Sequence, residues 1–177
     1  MRKTGWKWND FASKTVMGKT VTSIYRNDYR EALGEFLLTF NATENLLNEI
    51  VSLLLDRLSK SHLYKEGDMF DRKLGQLELL CEAFKPKMHT PDFERLRTVN
   101  SRRNELAHGH MRTDPNTGEV DIIKAQTSRW KTGKKISPET IRKNTTLATA
   151  AHDDLSQMMP FIWFAHTPPP IKPEGAI

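Results

Sequence analysis

The sequence predicts an all-α fold, a bundle of helices with a small β-hairpin or ordered loop set before the last one. Three observations predict it. Apolar residues recur at spacings of three, four and seven over one long run; two later segments open with a capping residue followed by proline; and a change of period separates the third helical segment from the last. A chain of 177 residues, 37% of them hydrophobic, suits one compact domain with a true core.

Taken in order, residues 1–27 mix Trp6 and Trp8 with lysines and are expected to form an N-terminal arm, packed on the domain or on a second subunit. From Asp28 the stripe Ala32, Leu33, Phe36, Leu37, Phe40, Leu47, Ile50, Leu54 and Leu58 predicts one helix reaching almost to Ser61. No proline interrupts it, and Gly34 is its weak point. Residues 61–68 read as a loop. A second helix is expected over Phe70 to Phe84, with Leu74, Leu77, Leu80, Cys81 and Phe84 inward and Pro86 marking its end.

Thr90-Pro91-Asp92 then reads as a helix start. Thr90 is expected to cap, Pro91 to take the first helical position, and Asp92 to complement the positive helix end. This third helix is expected to pass Leu96 and Val99 and stop near His108, before Gly109. Asp114-Pro115-Asn116-Thr117-Gly118 is turn chemistry, and Val120 to Thr127 with Lys134 to Ile136 suggests a short hairpin around Trp130. Ser137-Pro138-Glu139 opens the last helix, which carries Ile141, Leu147, Ala151, Leu155 and Met158 and is limited or kinked by Pro160. The helical domain thus covers 28–165, and the Pro-rich residues 166–177 are expected to be a loose tail.

Composition narrows the function classes. A net charge of +5 is compatible with a polyanionic partner, although an ordinary solvated lysine surface is the simpler explanation of it and the charge is supporting evidence only. Cys81 is the sole cysteine, so no intramolecular disulfide and no cysteine-based zinc site can form, and its apolar surroundings suggest a small buried hydrophobe. Met-Arg-Lys is followed by polar residues rather than an apolar leader core, and no apolar stretch approaches the roughly 18 residues of a membrane span. A cytoplasmic protein without membrane contact is expected. There is no Gly-rich phosphate loop and no metal-ligand spacing, so neither a cofactor nor a metal is expected.

The segment with chemical content is Asn100-Ser101-Arg102-Arg103-Asn104-Glu105-Leu106-Ala107-His108-Gly109-His110. A helical residue turns about 100°, which puts Asn104 and His108 one turn apart on one face, with Arg103 at the edge of that face. Arginine grips phosphate with a planar fork, histidine moves protons near neutral pH, and asparagine orients either one. Without metal ligands, phosphodiester chemistry here would use the ribose 2′-hydroxyl as nucleophile, which restricts the substrate to RNA.

Arg103-Asn104-Glu105-Leu106-Ala107-His108 resembles the Arg-x4–6-His signature of HEPN domains, in its Arg-Asn-x-x-x-His form followed by glycine. The resemblance extends to the layout over residues 28–165: a long first helix, a motif near the end of a later helix, and a closing helix. It implies a bundle that dimerises to join two motifs in one cleft. It implies also a metal-independent endoribonuclease of toxin–antitoxin or phage-defence systems, with an antitoxin protein as a further partner. Some members of the family bind RNA or protein without cutting. The resemblance assigns catalysis to Arg103, Asn104 and His108.

Each residue also has a plainer reading. His108 could be a core histidine bonded to a carbonyl, Arg103 a solvated arginine or an ion-pair partner of Glu105 or Glu94, and Asn104 a link to a neighbouring helix. Arg102 is a rival to Arg103, since Arg102-x5-His108 also fits the signature. His110 matches at the longest spacing but falls beyond Gly109. On the first helix, Glu44 and Asn48 belong to a polar stripe that is either an exposed face or a support for the motif. Arg129, Trp130, Lys131, Lys134 and Lys135 form a basic cluster around one aromatic, either a solvated hairpin or a contact surface for single-stranded RNA.

Overall fold

The computed structural model describes residues 15–16, 19–65, 67–84, 88–108, 110–113, 120–123, 125–126, 129–130 and 134–166, with side chains described over 27–65, 67–84, 88–107 and 136–163. The fold is all-α. Its helices are α1 (Val21–Arg57), α2 (Phe70–Phe84), α3 (Phe93–His108), α4 (Pro138–Ser156) and α5 (Met159–His166), with one 3-10 turn at Ser61–Leu63.

Short backbone pairings accompany the helices. Strand β1 (Thr15–Val16) pairs with β2 (Lys19–Thr20). After α3, β3 (His110–Thr113) pairs antiparallel with β4 (Val120–Ile123), which pairs in turn with β7 (Lys134–Lys135). The two-residue strands β5 (Ala125–Gln126) and β6 (Arg129–Trp130) pair with each other. A single hairpin of Val120–Thr127 against Lys134–Ile136 is therefore not what forms. β4 takes its longest pairing from β3, a segment that the sequence did not mark as extended.

The chain divides into two compact units. One comprises Met1–Leu37 and Arg102–Thr145, the other Leu38–Ser101 and Thr146–Ile177. In the second unit Phe40, Leu47, Ile50, Leu54, Leu74, Leu77, Leu96, Leu155, Met158 and Ile162 are fully buried. Phe40 stacks obliquely on Phe70 with centroids 5.3 Å apart. Burial of each such side chain contributes roughly 1.5–3 kcal/mol. Cys81 is buried there among them. Polar ties fix the edges: Asn100 Nδ2 donates to Asp71 Oδ1 at 2.8 Å, and Arg97 Nη2 meets Glu78 Oε2 at 2.6 Å. In the first unit the buried side chains include Tyr29, Ala32, Phe36, Leu106, Ile136 and Ile141.

Several boundaries correct the sequence reading. α1 starts at Val21, seven residues before Asp28, and ends at Arg57 rather than near Ser61. Its end has a specific cause. Ser59 takes the left-handed conformation (φ 56°), Lys60 N–H donates to Leu55 O at 2.8 Å, and Ser59 N–H donates to Asp56 O at 2.8 Å. This is a Schellman cap with serine where glycine is usual. α3 starts at Phe93, and its cap is Asp92 rather than Thr90, since Asp92 Oδ1 accepts the Arg95 N–H at 2.9 Å.

Two other boundaries agree with expectation. α2 covers Phe70–Phe84, and α4 opens with Ser137 Oγ accepting the Thr140 N–H at 3.1 Å ahead of Pro138. The final helical segment is broken at Gln157–Met158, where i→i+3 bonds tighten the turn, and α5 restarts with Pro160 in its first turn. There proline needs no N–H and does not clash with a preceding turn.

Candidate functional site

The motif occupies the last two turns of α3. Leu106 is 3% exposed and anchors this stretch, while Asn104 and Ala107 face solvent and Arg102, Arg103 and Glu105 are half-buried. The helix therefore turns one apolar residue inward and keeps its polar residues accessible, the distribution that helical periodicity dictates.

Arg103 and Asn104 are brought together: Arg103 Nη1 donates to Asn104 Oδ1 at 3.1 Å. Adjacent helical side chains diverge by about 100°, so this contact depends on the arginine's length. Arg102 takes another partner. Its Nη1 lies 3.1 Å from Glu105 Oε2, with the arginine 42% and the glutamate 14% exposed. Both candidate arginines are thus bonded to neighbours on the same stretch of helix.

His108 is the final residue of α3, one helical turn beyond Asn104, and its side chain lies outside the described residues. His110 opens β3, opposite Ile123, and so stands beyond the helix as its position after Gly109 suggested. Glu44 and Asn48 belong to the unit Leu38–Ser101 with Thr146–Ile177, whereas the motif belongs to the other. Both are half-buried, and Asn48 Oδ1 is buried with no hydrogen-bond partner among the described residues. Arg129 and Trp130 form β6, and Lys134 and Lys135 form β7; their side chains and the whole of Lys131 lie outside the described residues.

A second polar cluster escaped the sequence reading. Asp154 of α4 accepts His89 Nε2–H at 2.8 Å through Oδ1 and the Asp92 backbone N–H at 2.6 Å through Oδ2, with Arg95 Nη1 at 3.8 Å. Arg95 also pairs with Asp92 at 3.2 Å. Burial raises the Asp154 carboxyl's pKa, but the Asp92 N–H, His89 and Arg95 together outweigh it and hold the pKa below the ordinary value. The partners lie 62 and 65 residues apart in sequence, and no local pattern could have found them. The cluster's groups spend their bonds on one another, which marks it as a structural tie for the start of α3.

No group of three or more His, Cys, Asp or Glu side chains suited to hold a metal ion occurs among the described residues. No helix among them is long and apolar enough to cross a membrane. No family model, curated protein or solved structure matches the chain.

Proposed function

We propose that this chain is a HEPN-type endoribonuclease that cuts single-stranded or loop RNA without a metal. The observation that carries the reading is the Arg103-Asn104-x-x-x-His108 spacing on one continuous helix, with the Arg103 guanidinium held by Asn104. In the reaction the 2′-oxygen attacks the adjacent phosphorus as its proton leaves. The phosphorus–5′-oxygen bond breaks, and the products are a 2′,3′-cyclic phosphate and a 5′-hydroxyl. His108 serves as general acid or base, or holds the 2′-hydroxyl in line. Arg103 stabilises the charge that builds on the non-bridging oxygens, and Asn104 fixes Arg103.

The active form is a homodimer that joins two motifs in one cleft, and the basic set Arg129, Trp130, Lys131, Lys134 and Lys135 guides the strand. A toxin or phage-defence role in the cytoplasm, with an antitoxin partner, follows from the family resemblance. The deciding experiment incubates purified protein with single-stranded RNA in EDTA. Cleavage to cyclic-phosphate ends, lost in His108→Ala and in Arg103→Ala, is the expected result. Binding without cleavage would show a non-catalytic HEPN module instead, and neither binding nor cleavage would end the RNA reading.

A further inference from the structure

Arg57 closes α1, and its guanidinium carbon lies 4.6 Å from the ring centroid of Phe161 and 5.2 Å from that of Phe84. The two rings, from α5 and α2, meet edge to face with centroids 5.8 Å apart. All three residues are half-buried and belong to the unit Leu38–Ser101 with Thr146–Ile177, which contains none of the motif residues.

A ring face attracts a cation but offers no lone pair to its N–H groups. No hydrogen bond or ion pair to the Arg57 guanidinium supplies one among the described residues, and Nη1 is buried without a partner. Of the three nitrogens Nη1 alone is both sealed from solvent and unpaired, so the side-on fork of Nε–H and Nη2–H is the edge left to an acceptor. The adjacent carboxylate does not take it, since Asp56 Oδ1 accepts from Ser61 Oγ at 2.8 Å. Lys60, three residues on, is exposed and adds a second cation on the same stretch of chain. An arginine that grips an anion loses side-chain freedom, and rings that fix the guanidinium beforehand reduce that cost.

We infer that Arg57 is the donor of an oxyanion site, taking a phosphate or carboxylate group on its Nε–Nη2 edge while Phe84 and Phe161 hold the guanidinium in place. The site owes nothing to the RNA reading above and is tested without RNA. A purely structural arginine, complementing the negative end of α1, shares this geometry but not a dependence on anions.

The full chain is titrated with sodium phosphate near neutral pH, at ionic strength held constant with sodium chloride, and the nitrogen–proton correlation signal of the Arg57 Nε–H is followed. A saturable shift with a Kd of about 1–10 mM is expected. Sodium acetate, titrated in the same way, is the carboxylate arm. Tighter phosphate binding identifies a phosphoryl ligand and tighter acetate binding a carboxylate, and either upholds the site. Arg57→Lys keeps the charge without the fork and should raise the phosphate Kd at least about fivefold, read through the Phe161 ring signals. Phe161→Leu keeps the arginine but removes one ring and should raise it about threefold.

A shift that fails to saturate by about 50 mM phosphate overturns the proposal, as does one that sodium chloride alone reproduces. So does an Arg57→Lys protein that binds phosphate as tightly as the wild type. If either variant fails to fold, the wild-type titration decides, because saturation at the Nε–H is read at the site itself.

Discussion

The two ends of α3 use the same residue types for opposite purposes. At its start Asp154 bonds His89 and the Asp92 N–H across 65 and 62 residues of sequence, and Arg95 pairs with Asp92 three residues before it. At its finish Arg102 pairs with Glu105 three residues on, and Arg103 bonds Asn104 beside it. A long-range polar tie contributes to fold stability, because breaking it strands groups that folding has withdrawn from water. An exposed bond between neighbours, such as Arg103 to Asn104, contributes little to stability. One helix thus carries a long-range anchor at one end and the motif proposed to cut RNA at the other.

The comparison can be broken or sharpened by substitution. The largest expected effect is on the core beside the anchor. Leu96 is wholly buried, and Leu96→Ala should cost about 2–5 kcal/mol, read as a lowered urea midpoint. Next, Asp154→Ala removes the acceptor for His89 and for the Asp92 N–H and should cost about 1–3 kcal/mol in the same measurement. A loss under about 0.5 kcal/mol would show that the start of α3 is not anchored there.

The pH dependence has a definite sign. Asp154 has a folded pKa below its ordinary value, so its contribution is fully present above about pH 4 and disappears as the carboxylate protonates below it. Unfolding curves of the wild type should therefore lose stability on acidification more steeply than those of Asp154→Asn. Parallel curves would remove the anchor from the argument.

Smaller effects test the backbone and the other end. Ser59→Gly relieves a left-handed serine and should stabilise by about 1 kcal/mol, seen as a raised melting temperature. Gly34→Ala should gain about 0.5–1 kcal/mol, because a Cβ at that position meets nothing within 4 Å. Smallest of all, Arg103→Ala should alter stability by less than about 0.5 kcal/mol while abolishing RNA cleavage. A large destabilisation there would reassign Arg103 from ligand binding to structure.

Much of the architecture could be read locally. The apolar stripe and Pro86 bounded α2, Ser137-Pro138 marked the start of α4, and the run around Cys81 announced its burial. Each of these depends on periodicity or on a cap within three residues. Of the candidate site, the spacing of Arg103, Asn104 and His108 on one helix was likewise legible. The Arg102–Glu105 pair follows the same rule, since residues three apart share a helix face, but the Arg103–Asn104 bond does not, because adjacent helical residues point about 100° apart.

What the sequence determined by itself was therefore the helical class, most helix registers and the grouping of the motif residues, since a helix enforces those relations over four residues at a time. Only the structure decided where α3 begins, the serine-capped end of α1, the pairing of β3 with β4 and the division into two units. The two helix ends are fixed by short-range bonds that a choice among neighbouring capping residues leaves open, and the His89–Asp154 tie and the division into units turn on burial between segments far apart in the chain, whose energies no local pattern records.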